Sequence, residues 1–158
     1  MKRYSQNRNY DVFQARYTTA GQAITGGTTF PTPTVVNFNS ADLCNCGFEY
    51  DSGVITITNG LSGRTAIFNV QINVLDGTGR TDLRIAIEKD TGGGWQTLVR
   101  ADNYALRDTD QENGGCWING FLEKLEDGVK YRVTQTADWD SGTPKYDPEG
   151  CFFSIIAY

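Results

Sequence analysis

From Phe13 onward, apolar and polar residues take turns along the chain. Phe13, Ala15 and Tyr17 alternate with Gln14 and Arg16; Ala66, Phe68, Val70, Ile72 and Val74 with Ile67, Asn69, Gln71 and Asn73; Leu83, Ile85 and Ile87 with Arg84, Ala86 and Glu88. A period of two sends one set of side chains to a buried face and the other to an open one, so these stretches predict half-buried β-strands. Turn chemistry separates them at Asp51-Ser-Gly53, Asn59-Gly60, Asp76-Gly77, Gly92-Gly-Gly94 and Asp127-Gly128. The last suits a hairpin between residues 123–126 and 129–136. Residues 18–34, 107–115 and 138–150 read as long surface loops, and no stretch sustains a helical period.

The segment Cys151-Phe-Phe-Ser-Ile-Ile-Ala-Tyr158 departs from the alternation. Phe152, Ile156 and Tyr158 share one face with Ser154, while Phe153, Ile155 and Ala157 occupy the other. A strand apolar on both faces belongs in a sheet covered twice. With no predicted helix to form the second cover, that layer is expected from another chain; the competing reading is a central sandwich strand with loops folded over it.

Composition narrows the function. The 158 residues make one domain, large enough to bury roughly 70% of the unfolded surface without metals or disulfides. There is no histidine, which removes the Ser-His-Asp and Cys-His nucleophile pairs and the histidine metal sites together. The chain is read as not an enzyme, with no cofactor and no metal. A net charge of −5 is the wrong sign for a protein that neutralises many phosphates, so nucleic acid is excluded as a partner. No apolar run reaches the ~18 residues of a membrane helix and no secretory leader is recognisable. A chain made and kept soluble in the cytoplasm, with no membrane partner, is expected. Cys44, Cys46, Cys116 and Cys151 lack the spacing of a zinc knuckle and read as free, mostly buried thiols in a reducing compartment. Residues 1–12 carry Lys2, Arg3 and Arg8 against Asp11 and read as a basic N-terminal arm before a domain spanning 13–158.

Eight or more antiparallel strands in one sandwich suggest a jelly roll, and here the sequence resembles the C1q and tumour necrosis factor superfamily. Phe13-Gln-Ala-Arg16 is similar to that family's first strand, Val36-Asn-Phe-Asn39 to its second, and Phe48-Glu-Tyr-Asp-Ser-Gly-Val54 to the passage that follows. Leu125-Glu-Asp-Gly128 before Val129 is similar to a family turn, without the Asp that usually follows the Gly. Phe153-Ser-Ile-Ile-Ala157 is similar to the last strand, with Ser154 where Gly is commoner. The resemblance implies an all-β antiparallel sandwich of C1q/TNF-like jelly-roll type that forms tight trimers, its last strand beside the three-fold axis. Phe152, Ser154, Ile156 and Tyr158 would then face the axis, and Phe153 and Ile155 the protomer core. The strand 65–74 would be the neighbour, bringing polar Asn69, Gln71 and Asn73 to the interface.

Other candidate sites are weaker. Asp108, Asp110 and Glu112 resemble the start of a calcium loop, but Asn119 stands where a bidentate acid is needed, which favours a solvated acidic loop. Asp138-Trp139-Asp140 suits stacking on a sugar, or a Trp anchoring a loop. Trp95 and Trp117 read as packing. With no collagen stalk or anchor in view, the resemblance is to the trimeric jelly rolls of bacteriophage particles. The expected function is a decoration or cement protein on the virion's capsid surface, made in the host cytoplasm. It would bind itself as a homotrimer and the major capsid protein, with Lys2, Arg3 and Arg8 as a capsid-binding arm. The alternative is a receptor- or glycan-binding tip of a phage fibre.

Overall fold

The computed structural model describes residues 10–19, 22–44, 47–58, 60–77, 79–106 and 113–158, and these contain strands but no helix. In chain order the strands are β1 (Asp11–Arg16), β2 (Gly26–Gly27), β3 (Thr34–Val35), β4 (Ser40–Cys44), β5 (Phe48–Asp51), β6 (Val54–Ile57), β7 (Thr65–Gly77), β8 (Thr81–Asp90), β9 (Trp95–Leu106), β10 (Asn113–Lys124), β11 (Lys130–Trp139), β12 (Gly142–Tyr146) and β13 (Phe152–Ala157). They form two sheets. Sheet 1 runs β10-β7-β13-β1-β4, with β12 pairing β7 beyond the end of β13. Sheet 2 runs β5-β6-β11-β8-β9, with β2 and β3 also on β11. Every named pairing is antiparallel except that of β2 with β11. The fold is an all-β sandwich.

The period-two residues drive this arrangement. Phe13 and Ala15 of β1, the alternate residues Ala66 to Val74 of β7, Leu83, Ile85 and Ile87 of β8 and Phe153, Ile155 and Ala157 of β13 are all removed from solvent. Burying such side chains contributes about 1.5–3 kcal/mol each for the larger ones. An aromatic cluster joins the layers: Phe153 lies 6.1 Å from Phe13, 6.1 Å from Phe68 and 6.2 Å from Phe38, and Phe68 lies 5.0 Å from Tyr131. At one end of the sandwich Arg64 pairs with Asp11 and donates to the Ala157 carbonyl at 2.7 Å, tying β1 and β13 to the segment before β7.

Several turns form as expected. Asp51 pairs with Val54, and the two residues between them, Ser52 and Gly53, have φ of 49° and 87°. Positive φ at both central positions is the tight-hairpin geometry whose twist matches the flanking strands. At Gly92-Gly-Gly94 the Asp90 carboxylate accepts from the Gly92 and Gly94 amides at 2.7 and 3.0 Å, closing the β8–β9 hairpin.

Other expectations need correcting. Asp127-Gly128 does turn the chain, with φ of 79° at Gly128, but it joins no hairpin. Strand β10 pairs with β7 in sheet 1 and β11 with β8 and β6 in sheet 2. Leu125 and Val129, on either side of the turn, are both buried, so the turn is a corner between sheets. Asp76-Gly77 is still strand, because β12 pairs with β7 there. Residues 113–115 and 142–146 also lie in strands rather than loops. The 18–34 segment is not merely surface: Ile24 is buried, and Gly26–Gly27 add to the edge of β11.

Candidate self-association face

The outward face of sheet 1 is ordered in rows across the strands. Register fixes one row as Leu122, Ile67, Ile156 and Val12. The next holds Asn69, Ser154 and Gln14, and the next Trp117, Gln71, Phe152 and Arg16. Two apolar-containing rows thus flank a polar one. The polar row is internally bonded: the Gly120 amide donates to Asn69 Oδ1 at 2.9 Å, and Asn69 Nδ2 donates to Ser154 Oγ at 3.5 Å.

Four large hydrophobic residues are exposed among the described residues: Tyr10 at 41%, Trp117 at 53%, Leu122 at 61% and Tyr158 at 59%. All four belong to this face or its margin. Trp117 and Leu122 stand on the edge strand β10; Tyr10 and Tyr158 extend β1 and β13 in their outward register. Scattered single hydrophobic residues on a surface are ordinary, whereas a set gathered on one face marks an interaction site.

Phe152, Ser154 and Ile156 point to this face and are half-buried, while Phe153 and Ile155 point to the core. The facing of β13 is therefore as the sequence predicts, and β7 is its neighbour with Asn69 opposite Ser154. Trp117 corrects an expectation: it is not packed but stands in the open. The contribution of β10 was missed because a bulge reverses its facing. Ile118 opposes Val70 and Phe121 opposes Phe68, so one extra residue sits between them, with φ of 71° at Gly120. Trp117 and Leu122 consequently lie on the same side although they are five positions apart, an offset that puts residues of a regular strand on opposite faces.

The remaining candidates separate. Lys2, Arg3, Arg8, Asp108, Asp110 and Glu112 lie outside the described residues, and Asn119 is exposed on β10. Trp95 is covered by the Arg132 guanidinium, 4.0 Å from its ring centre. Trp139 packs against the core with its ring close over Gly26, as a loop anchor does. Its flanking carboxylates face Arg80 rather than a cleft, at 3.9 Å for Asp138 and 3.5 Å for Asp140. Asp82 lies directly opposite Asp138, and its carboxyl is pushed above the ordinary range by desolvation, against the pull of Arg80, with Asp138 and Asp140 adding to the rise. A raised acid favours the protonated fold, so its charge costs stability at neutral pH. Asp82→Asn is expected to raise the melting temperature at pH 7. The gain should shrink as pH falls toward 3.8, the unperturbed value, and thermal melts across that range check it.

Cys116 and Cys151 are free and buried, and desolvation pushes their thiols up to about 11 and about 12. The thiolate is the reactive form. Iodoacetamide at neutral pH is therefore expected to leave both unlabelled in the folded protein and to label both in denaturant, as peptide mass mapping would read.

No family model matches the chain, and no curated protein sequence matches it. Solved structures do match. Murine APRIL at pH 5.0 superposes with a TM-score of 0.66 at 15% identity, over 94% of this chain and 99% of that one. Murine APRIL at pH 8.0 gives 0.65 at 14% identity over the same shares. The Eiger TNF of S. frugiperda gives 0.61 at 10% identity, over 94% and 92%. The likeness is one of fold: the chain has the tumour-necrosis-factor-like jelly roll.

Proposed function

We propose that this chain is a non-enzymatic structural protein that assembles as a homotrimer through the outward face of sheet 1 and decorates the shell of a bacteriophage head. The observation that carries the self-association is the gathering of Tyr10, Trp117, Leu122 and Tyr158 beside half-buried Phe152 and Ile156 on one face. The tumour-necrosis-factor-like fold supports a three-fold arrangement, since the superfamily that the sequence resembles packs this strand beside its axis. The polar row of Asn69, Ser154 and Gln14 would run between two apolar bands of the interface, its bonds met within each protomer or across to the next. A trimer of this size suits a local three-fold junction between capsomers, where it would contact the major capsid protein. Lys2, Arg3 and Arg8 would add charge contacts, which salt screens over about 10 Å at 0.1 M.

Native mass spectrometry tests the assembly, and co-sedimentation with purified phage shells tests the setting. A trimer that sediments with shells is expected. A soluble monomer at micromolar concentration would remove the assembly reading. A trimer that ignores shells but adheres to host envelopes would be a fibre tip instead.

A further inference from the structure

At the end of the sandwich away from the Arg64–Asp11 pair, a cavity of about 300 Å³ opens between the residues after β1, the 22–25 segment, the stretch from β3 to Asn39, and the end of β12. Tyr17 and Tyr146 form its buried floor, their ring centres 4.5 Å apart, and Gln22, Thr25, Thr34, Asn37 and Asn39 contribute its polar walls. None of the nine described residues that line it carries a charge.

The walls are held in place from beneath. Gln135 is fully buried, and its side chain makes three bonds into the site. Its Oε1 accepts from the Tyr146 hydroxyl at 2.8 Å and the Thr25 amide at 3.2 Å, while its Nε2 donates to the Thr25 carbonyl at 2.5 Å. The Tyr146 amide donates to the Gln22 carbonyl at 3.0 Å, which fixes the opposite wall. A buried side-chain amide with its hydrogen bonds met specifies one arrangement, because each alternative leaves a polar group unpaired. Around the rim the Thr34 hydroxyl donates to Thr25 Oγ1 at 2.8 Å, and Tyr17 donates to the Gln22 side chain. Among the described residues, these bonds do not use the side-chain N–H groups of Asn37 or Gln22.

The lining selects its ligand by elimination. An anion needs a cationic partner and a cation needs carboxylates, and the lining holds neither. An apolar ligand would strand the amides and hydroxyls without water. What fits is a neutral molecule that both donates and accepts along its edge while presenting C–H faces to aromatic rings. We propose that this cavity binds a neutral sugar. Its volume stands at the lower end of small-molecule sites, about 300–1,000 Å³, which suits one or two sugar rings. The inference does not rest on the trimer or on the capsid setting.

The test is titration of the intact, isotope-labelled protein with glucose, galactose, mannose and N-acetylglucosamine, followed by the backbone amide signals of Gln22, Thr25 and Asn37. Each sugar is offered as the free reducing form and as its methyl glycoside, which mimics a glycan's terminal unit; glucuronate and glucosamine are the charged controls. At least one neutral sugar is expected to move those signals at roughly 10 mM, in the weak range of such sites. The charged controls should bind at least about fivefold more weakly. Asn37→Asp keeps the shape of the rim but removes both N–H donors, and should weaken binding by about fivefold with the melting temperature unchanged. A preference for the free form or the glycoside supports the proposal and names the source of the ligand. Silence of the three signals with all four sugars, equal binding of the charged controls, or full binding by the Asn37→Asp protein would overturn it.

Discussion

Phe153→Asp is expected to leave no folded protein at 25 °C. The ring is fully buried on β13, within about ring-contact distance of Phe13, Phe38 and Phe68, at 6.1, 6.2 and 6.1 Å. Truncating a buried Phe to Ala costs about 3–5 kcal/mol through lost transfer energy and the cavity left behind. An aspartate adds several kcal/mol more for a carboxylate with no partner in an apolar core. Domains of this size are stable by only about 5–15 kcal/mol, so the sum reaches the whole of the stability. Phe153→Ala should remain folded with a melting temperature lowered by roughly ten degrees or more. Circular dichroism separates the cases, and a cooperative melt for Phe153→Asp would mean that the inward facing of β13 is wrong.

Phe152→Glu, one residue away, should do the opposite: spare the fold and abolish the proposed trimer. Its side chain points outward and only half-buried, between Gln71 on β7 and Arg16 on β1, so the core loses nothing. In the proposed trimer three carboxylates would converge where little water remains, and the Arg16 opposite each would offset only part of the several kcal/mol that removing each charge from water costs. Every 1.4 kcal/mol is tenfold in an association constant, so dissociation should be complete at micromolar concentration. Thr97→Glu, on the exposed part of β9 in the other sheet, is the control and should stay trimeric. Native mass spectra that are the same for both variants would place the interface elsewhere.

That these neighbours lie on opposite faces was legible in the sequence, because side chains along a strand alternate, but both faces of this strand are apolar and the choice of the inner one came from the resemblance. The same rule identified Phe13, Phe68, Val70 and Ile85 as core. What it could not supply was which sheet each strand would join. Asp127-Gly128 makes the same local turn whether it returns a strand to its neighbour or carries it across the sandwich, and the choice depends on distant partners for Leu125 and Val129. The facing of β10 was hidden for a related reason. Trp117 and Ile118 are both large and apolar, and only the extra residue near Gly120 decides that Trp117 and Leu122 emerge together. The sugar cavity was invisible because its walls come from segments far apart in the chain, brought together by Gln135. Its alternation with Tyr131, Val133 and Ala137 does place Gln135 on the inward face, but nothing in the sequence says which segments it meets there.

The pairing of β1 with β13 also governs how the protein is born. Phe13 lies opposite Ile155, far away along the chain, and β13 fills the gap between β1 and β7. On the ribosome the early strand therefore waits, with its edge unpaired, until residues 152–157 have been synthesised. Contacts so distant in sequence slow folding, and exposed strand edges invite pairing with other chains in the interval. A nascent chain stalled before Phe152 should be insoluble or held by a chaperone, and the sheet should close in a single late step once those residues emerge.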